Sequence, residues 1–93
     1  MYTVTRVKGF DKALQQVMRG GKFTRRKIEE VIDILSSGDA LPAHLHDHAL
    51  KGEYEGSREC HVGGDLLLVY ERHEDVLILI MIDIGTHHQL FGS

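Results

Sequence analysis

"DLLLVYERHEDVLILIMIDI", residues 65–84, contains two apolar, β-branched runs broken by one charged triplet. The spacing predicts two strands, over residues 65–72 and 76–84, joined by a short turn at His73-Glu74-Asp75. Their runs are continuous rather than alternating, which marks strands central to a sheet and covered by a packed layer. Val76 to Ile82 is too short to span a bilayer and has charged flanks, so a membrane segment is not expected.

Upstream, "GSRECHV" (56–62) reads as a third strand, with Gly63-Gly64 as the turn or bulge that follows it. "YTVTRV" (2–7) alternates and reads as a strand. Between these lie two helical stripes. Phe10, Ala13, Leu14, Val17 and Met18 form the first, which ends at Gly20-Gly21. Ile28, Val31, Ile32 and Leu35 form the second, with Thr24 as N-cap and Gly38 as C-terminal stop. Residues 38–53, with the single proline Pro42, read as a loop. The expected fold is α+β: a small, mainly antiparallel sheet with an N-terminal strand and a helical hairpin on one face, in the order β-α-α-β-β-β.

The 93 residues fit a single domain spanning 1–93, with one hydrophobic core. One cysteine, Cys60, cannot form an internal disulfide, and no apolar leader pattern opens the chain, so a cytoplasmic setting is expected. Alternation places Cys60 with Val62 toward the core, as a buried thiol. The net charge of −3 hides an asymmetry: residues 1–27 carry eight Lys/Arg against one acid, residues 28–93 three against thirteen. A basic N-terminal third can face a polyanion or form a solvated helix face.

Seven histidines are the chemical anomaly. His44, His46 and His48 alternate, so an extended backbone would point all three to one side, where they could hold zinc. Neither a Cys pair nor a helical His-x-x-x-His is present, and no metal or other cofactor is expected. Proton transfer is the stronger reading. His61 lies on the strand face opposite Cys60 and Val62. Asp65 begins the next strand just past the Gly-Gly turn, His87 follows the last strand, and His48 lies in the loop that feeds the sheet.

"DHALKGEYEGSRECHV", "GGDLLLVYE" and "GTHHQLFG" together resemble the YafQ-type toxins of the RelE/ParE superfamily, the toxin halves of bacterial type II toxin–antitoxin pairs. The shared pattern is Asp-His-x-Leu-x-Gly, then Arg-x-x-His-Val-x-x-Asp, then Gly-Thr-His-x-x-Leu-Phe, over residues 47–92. The resemblance implies the RelE-like fold and a ribosome-dependent mRNA endoribonuclease (mRNA interferase) acting by metal-independent acid–base catalysis. It also implies a cognate antitoxin protein as partner, the toxin being a monomer alone and a hetero-oligomer with its antitoxin. By position His48, His61, Asp65 and His87 match the family's catalytic residues, and Phe91 its terminal aromatic. Such a site needs a base for the RNA 2′-OH, an acid for the departing 5′-oxygen and positive charge at the phosphate. His87 is the candidate acid and His48 or His61 the base, with Asp65 orienting an imidazole.

Lys51 and Arg58 are candidate phosphate contacts. Strict alternation places Arg58 on the face opposite His61, so it reaches the site only if the strand end twists or bulges. Phe91 either stacks on a base or anchors the C-terminus on the core. Leu66 stands where relatives can carry an aromatic. Two rival readings remain open. One is a catalytically weak module of the same fold, acting through its antitoxin complex or on gyrase. The other is a small metal protein using His44, His46 and His48.

Overall fold

In a computed structural model, which describes residues 1–92, one sheet organises the chain. The strands are β1 (Thr3–Arg6), β2 (His48–Ala49), β3 (Arg58–Gly63), β4 (Leu66–His73) and β5 (Ile78–Thr86). Their order is β1-β5-β4-β3-β2. β1 runs parallel to β5, and every other pair is antiparallel. The sheet therefore has the expected antiparallel bias, with two central strands drawn from the segment 65–84.

Helices α1 (Phe10–Arg19) and α2 (Arg25–Ser37) cover one face. Thr24 Oγ1 accepts from Lys27 N at 3.3 Å, and Gly38 closes α2 at φ 87°, a left-handed conformation that costs glycine little. Phe10, Leu14, Val17, Ile28, Val31 and Leu35 meet Cys60, Val62, Leu66, Leu68, Tyr70, Leu79, Met81 and Ile84 in one core. Each fully buried aliphatic side chain there contributes about 1.5–3 kcal/mol of transfer free energy. Cys60 is wholly buried, and that burial pushes its thiol up to about 12, which keeps it protonated.

The structure departs from the sequence expectations in four places. The loop 38–53 contains a 3₁₀ turn at Ala43–Leu45, a two-residue strand at His48–Ala49 and the start of another 3₁₀ turn at Gly52–Tyr54, so the sheet has five strands. His44 therefore lies in a turn and His46 is left-handed, at φ 51°, so the three alternate histidines are not on an extended backbone. β5 starts at Ile78 because Leu77 takes φ 54° in the connecting turn. A short helix, α3 (His87–Phe91), follows β5.

A bulge in β5 decides which side chains reach the face turned away from the helices. Val69 pairs with Asp83 and Tyr70 with Met81, leaving Ile82 as the extra residue. Leu79 and Met81 face the helices on one side of it. Beyond it, the alternation reverses, so that Ile84 faces the helices and Asp83 the opposite side. Among the described residues, no helix is long and apolar enough to cross a membrane.

Candidate active site

The face of the sheet turned away from α1 and α2 carries a polar row. Ladder partners share a face, so His48 (β2), Glu59 (β3), Val69 (β4) and Asp83 (β5) lie side by side on it. The adjacent row holds His61, Leu67 and Gly85. Two strand spacings separate Glu59 from Asp83, and His61 from Gly85, roughly 10 Å in each case. Leu67 and Val69, both buried, form the floor between the two sides.

On the β2–β3 side, the His48 ring is hydrogen-bonded at Nδ1 and stands near a carboxylate at Nε2. Nδ1 lies 2.7 Å from the His46 carbonyl oxygen. A carbonyl can only accept, so this contact places a proton on Nδ1 and leaves Nε2 as the nitrogen turned toward Glu59. Nε2 stands 3.5 Å from Glu59 Oε1. Glu59 is 5% exposed, and its Oε2 is buried without a hydrogen-bond partner. A buried carboxylate oxygen in that state is costly unless it has a charge to act on. Here the available charge is the imidazolium that His48 becomes when it takes a proton.

The backbone under His48 is tied down by its neighbour. Asp47 accepts from Arg58 Nε at 3.1 Å and from Arg58 Nη2 at 3.2 Å, and it also accepts from the hydroxyl of the fully buried Tyr70. Partial burial alone would raise Asp47, but the hydrogen bonds from Arg58 and Tyr70 outweigh it and hold the carboxyl below its ordinary range. Burial and Asp47 together push the Tyr70 hydroxyl up, so it stays a donor. Arg58 thus lies on the helix-facing side of β3, as strict alternation requires, with its guanidinium locked to Asp47.

On the β5–α3 side, a capping box positions His87. Thr86 Oγ1 accepts from Gln89 N at 3.2 Å, and Gln89 Oε1 accepts from Thr86 N at 2.8 Å. The preceding glycine leaves room for it: a Cβ on Gly85 would stand 3.0 Å from Gln89 Oε1 and 3.2 Å from Gln89 Cβ, so Gln89 would have to give by a few tenths of an ångström. Phe91, 38% exposed, packs its ring 5.1 Å from that of His87 and 5.7 Å, edge-on, from that of Tyr54. The Tyr54 hydroxyl donates to Asp83 Oδ2 at 3.2 Å; burial and that carboxylate raise its pKa. Phe91 therefore lies outside the main core and presents part of its ring to solvent.

The remaining sequence candidates are placed as follows. His61, half-buried, lies 5.2 Å, ring to ring, from His46. Asp65 Oδ1 meets Lys22 Nζ at 3.6 Å, across from the turn between α1 and α2. Lys51 is exposed between β2 and the second 3₁₀ turn. Leu66 is fully buried in the core and offers no stacking surface. No group of three or more His, Cys, Asp or Glu side chains among the described residues comes together to hold a metal ion. Glu59, Tyr54, Asp83 and the Thr86–Gln89 pair were not singled out from the sequence. Glu59 was detectable, because alternation puts it on the same face as His61.

The chain matches, over residues 2–92, the family described as the bacterial toxin of type II toxin–antitoxin system, YafQ. The mRNA interferase toxin YafQ of Escherichia coli strain K12 is 40% identical over 52 residues, 56% of this chain and 54% of that protein. The chain spans about half the length, or less, of the curated relatives it matches. The crystal structure of YafQ from E. coli strain BL21(DE3) superposes with a TM-score of 0.89 at 26% identity, covering 99% of this chain and 100% of that one. The toxin chain of the E. coli DinJ–YafQ toxin–antitoxin complex gives 0.85 at 27% identity, covering 98% of each.

Proposed function

Because the chain belongs to the YafQ family of type II toxins, we propose that it is a ribosome-dependent mRNA endoribonuclease, restrained by a cognate antitoxin protein in the cytoplasm. The contact that carries the proposal is His48: Nδ1 fixed by a carbonyl, Nε2 facing the buried carboxylate of Glu59. That arrangement suits a general base. Nε2 takes the proton of the RNA 2′-OH, and Glu59 stabilises the imidazolium that results. The freed 2′-oxygen attacks the adjacent phosphorus, and the bond to the 5′-oxygen breaks. His87, across the Leu67–Val69 floor, gives its proton to that leaving oxygen. The products are a 2′,3′-cyclic phosphate and a 5′-hydroxyl.

His61, in the neighbouring row, supplies positive charge to the phosphate when protonated. Phe91 offers a partly exposed ring for a base to stack on, with Tyr54 and His87 setting its tilt. Lys51 is free to meet the phosphate backbone. Arg58, locked to Asp47, acts on the site by fixing the loop that carries His48. Asp65, paired with Lys22, has no direct role in this reading. In this reading Glu59 orients the imidazole, the role the sequence suggested for Asp65.

The test uses translating ribosomes, a defined message and end mapping. The parent is expected to cut and leave cyclic-phosphate ends. His87→Ala and His48→Ala should each lose about 10²–10⁴-fold in rate while melting as the parent does. An intact message with the parent would favour a non-catalytic module that works through its antitoxin.

A further inference from the structure

Next to His61, a cleft of about 320 Å³ opens between the tip of β3, the 3₁₀ turn at Ala43–Leu45 and the first turn of α2. Lys27, His44, His46 and His61 border it, with Gly63 and Gly64 on the β3 side. No carboxylate lines it, although acids outnumber Lys and Arg by 14 to 11 in the chain. The nearby carboxylates are each occupied elsewhere: Glu59 faces His48, Asp65 pairs with Lys22, and Asp47 is held by Arg58 and Tyr70. Gly63 adds no bulk, and even a Cβ there would meet nothing within 4 Å. Backbone is therefore the boundary on that side.

The first turn of α2 adds a second oddity. It reads Arg25-Arg26-Lys27 and contains no acid. A helix N-terminus carries about half a positive charge, so three cations there destabilise the helix unless an anion sits nearby. Arg26 is offset by Glu30, four residues on, at 3.5 Å. Lys27 points at the cleft instead.

We propose that this cleft is a second phosphate subsite for the RNA strand, one linkage away from the bond that is cut, with Lys27 and His46 as its contacts. The identification of RNA as the occupant rests on the nuclease reading above. His46 links the two places physically. Its carbonyl fixes the His48 ring, while its side chain stands 5.2 Å from His61 and borders the cleft. A strand held at both points would have its scissile phosphate pulled against His48. Three imidazoles and one lysine line the cleft and no acid does, a lining that suits a phosphate.

The experiment measures binding of a fluorescent 2′-O-methyl RNA octamer, which has no free 2′-OH to attack, by anisotropy at several salt concentrations. Lys27→Ala and His46→Asn are the test variants; asparagine suits the left-handed backbone at position 46. Each should weaken binding about three- to tenfold, and Lys27→Ala should lower the salt slope by about 0.7, one phosphate contact to a single strand. Arg26→Ala, on the same turn, should bind within twofold of the parent. On ribosomes, Lys27→Ala should raise KM and leave kcat unchanged.

Parent-like affinity and slope in both test variants, or no binding of the octamer by the parent, would overturn the subsite. If the parent cuts message and the variants bind as it does, the subsite is wrong and the nuclease stands. If octamer binding depends on Lys27 and His46 but no message is cut, the subsite stands and the nuclease reading is wrong.

Discussion

The two sides of the proposed active site are held by different kinds of structure. On the β2–β3 side, His48 depends on contacts between residues far apart in sequence: Asp47 with Arg58 and Tyr70, and Glu59 beside Nε2. On the β5–α3 side, His87 depends on a capping box that closes within four residues, on a helix of five. The first side is fixed by tertiary structure and contains a buried charge. The second is fixed locally and sits at the edge of the fold. Disturbing the first should therefore change either chemistry or global stability, and disturbing the second should change chemistry with little effect on melting.

Among the residues that support the two imidazoles, the largest effect is expected from Glu59→Gln, which keeps the shape and removes the charge. Cleavage should fall about 10²–10³-fold, since the imidazolium formed on His48 loses its counter-charge. The melting temperature should hold or rise, because a buried carboxylate with an unpartnered oxygen has been replaced by a neutral group. A merely structural Glu59 would give the opposite pattern, lower melting with activity kept. Combined with His48→Ala, the substitution should add almost nothing, as residues acting as one unit are not additive.

Asp47→Asn tests the tertiary frame. It weakens the acceptor shared by Arg58 and the buried Tyr70 hydroxyl, at a cost of about 1–3 kcal/mol, read from denaturant unfolding. The sign of its pH dependence follows from the shift. Asp47 is lowered from 3.8 in the folded state, so its contribution is complete above that value and disappears as the pH falls through the lower, folded one. The stability gap between parent and variant should thus be constant near neutrality and close below about pH 3.8. A gap that widens in acid would mean that Asp47 is not the paired carboxylate described. On the other side, Gly85→Ala sets a methyl against the Gln89 side chain and should shift α3, lowering activity with little change in melting.

The unequal legibility of the two sides in the sequence follows the same division. The apolar runs of 65–84 announce the central strands because burial on both faces leaves only one composition open to them. Thr24 and Gly38 are legible because caps are local chemistry, and the structure puts both where the pattern does. β2 was missed because two residues hold no period. The β5 bulge at Ile82 was missed because the reversal of alternation is set by pairing with β4, not by β5 itself. That reversal is why Asp83 meets Tyr54. The start of β5 was misjudged because Val76 and Leu77 look like strand residues but serve a turn. Motif positions point to His48, His61 and His87, yet the partners of the proposed base, His48, are a carbonyl and a carboxylate with no motif of their own. α3 is the instructive miss: Thr86-x-x-Gln89 is a readable capping box, obscured by the strand that precedes it.

The smallest effect, and the sharpest for the comparison, is Thr86→Ala. A lost N-cap costs about 1 kcal/mol. A five-residue helix has no reserve of its own, since isolated helices shorter than about 12–15 residues are marginal. The whole cost should therefore fall on the ordered position of α3 and not on the core. About 1 kcal/mol shifts a two-state population roughly fivefold, so cleavage should drop by about that factor, far less than for His87→Ala. Amide exchange should quicken at Gln89 through Phe91 and stay slow in β3 and β4, and melting should move little. If Thr86→Ala instead destabilised the entire fold, α3 would be part of the cooperative core, and the contrast between a tertiary and a local side of the site would fail.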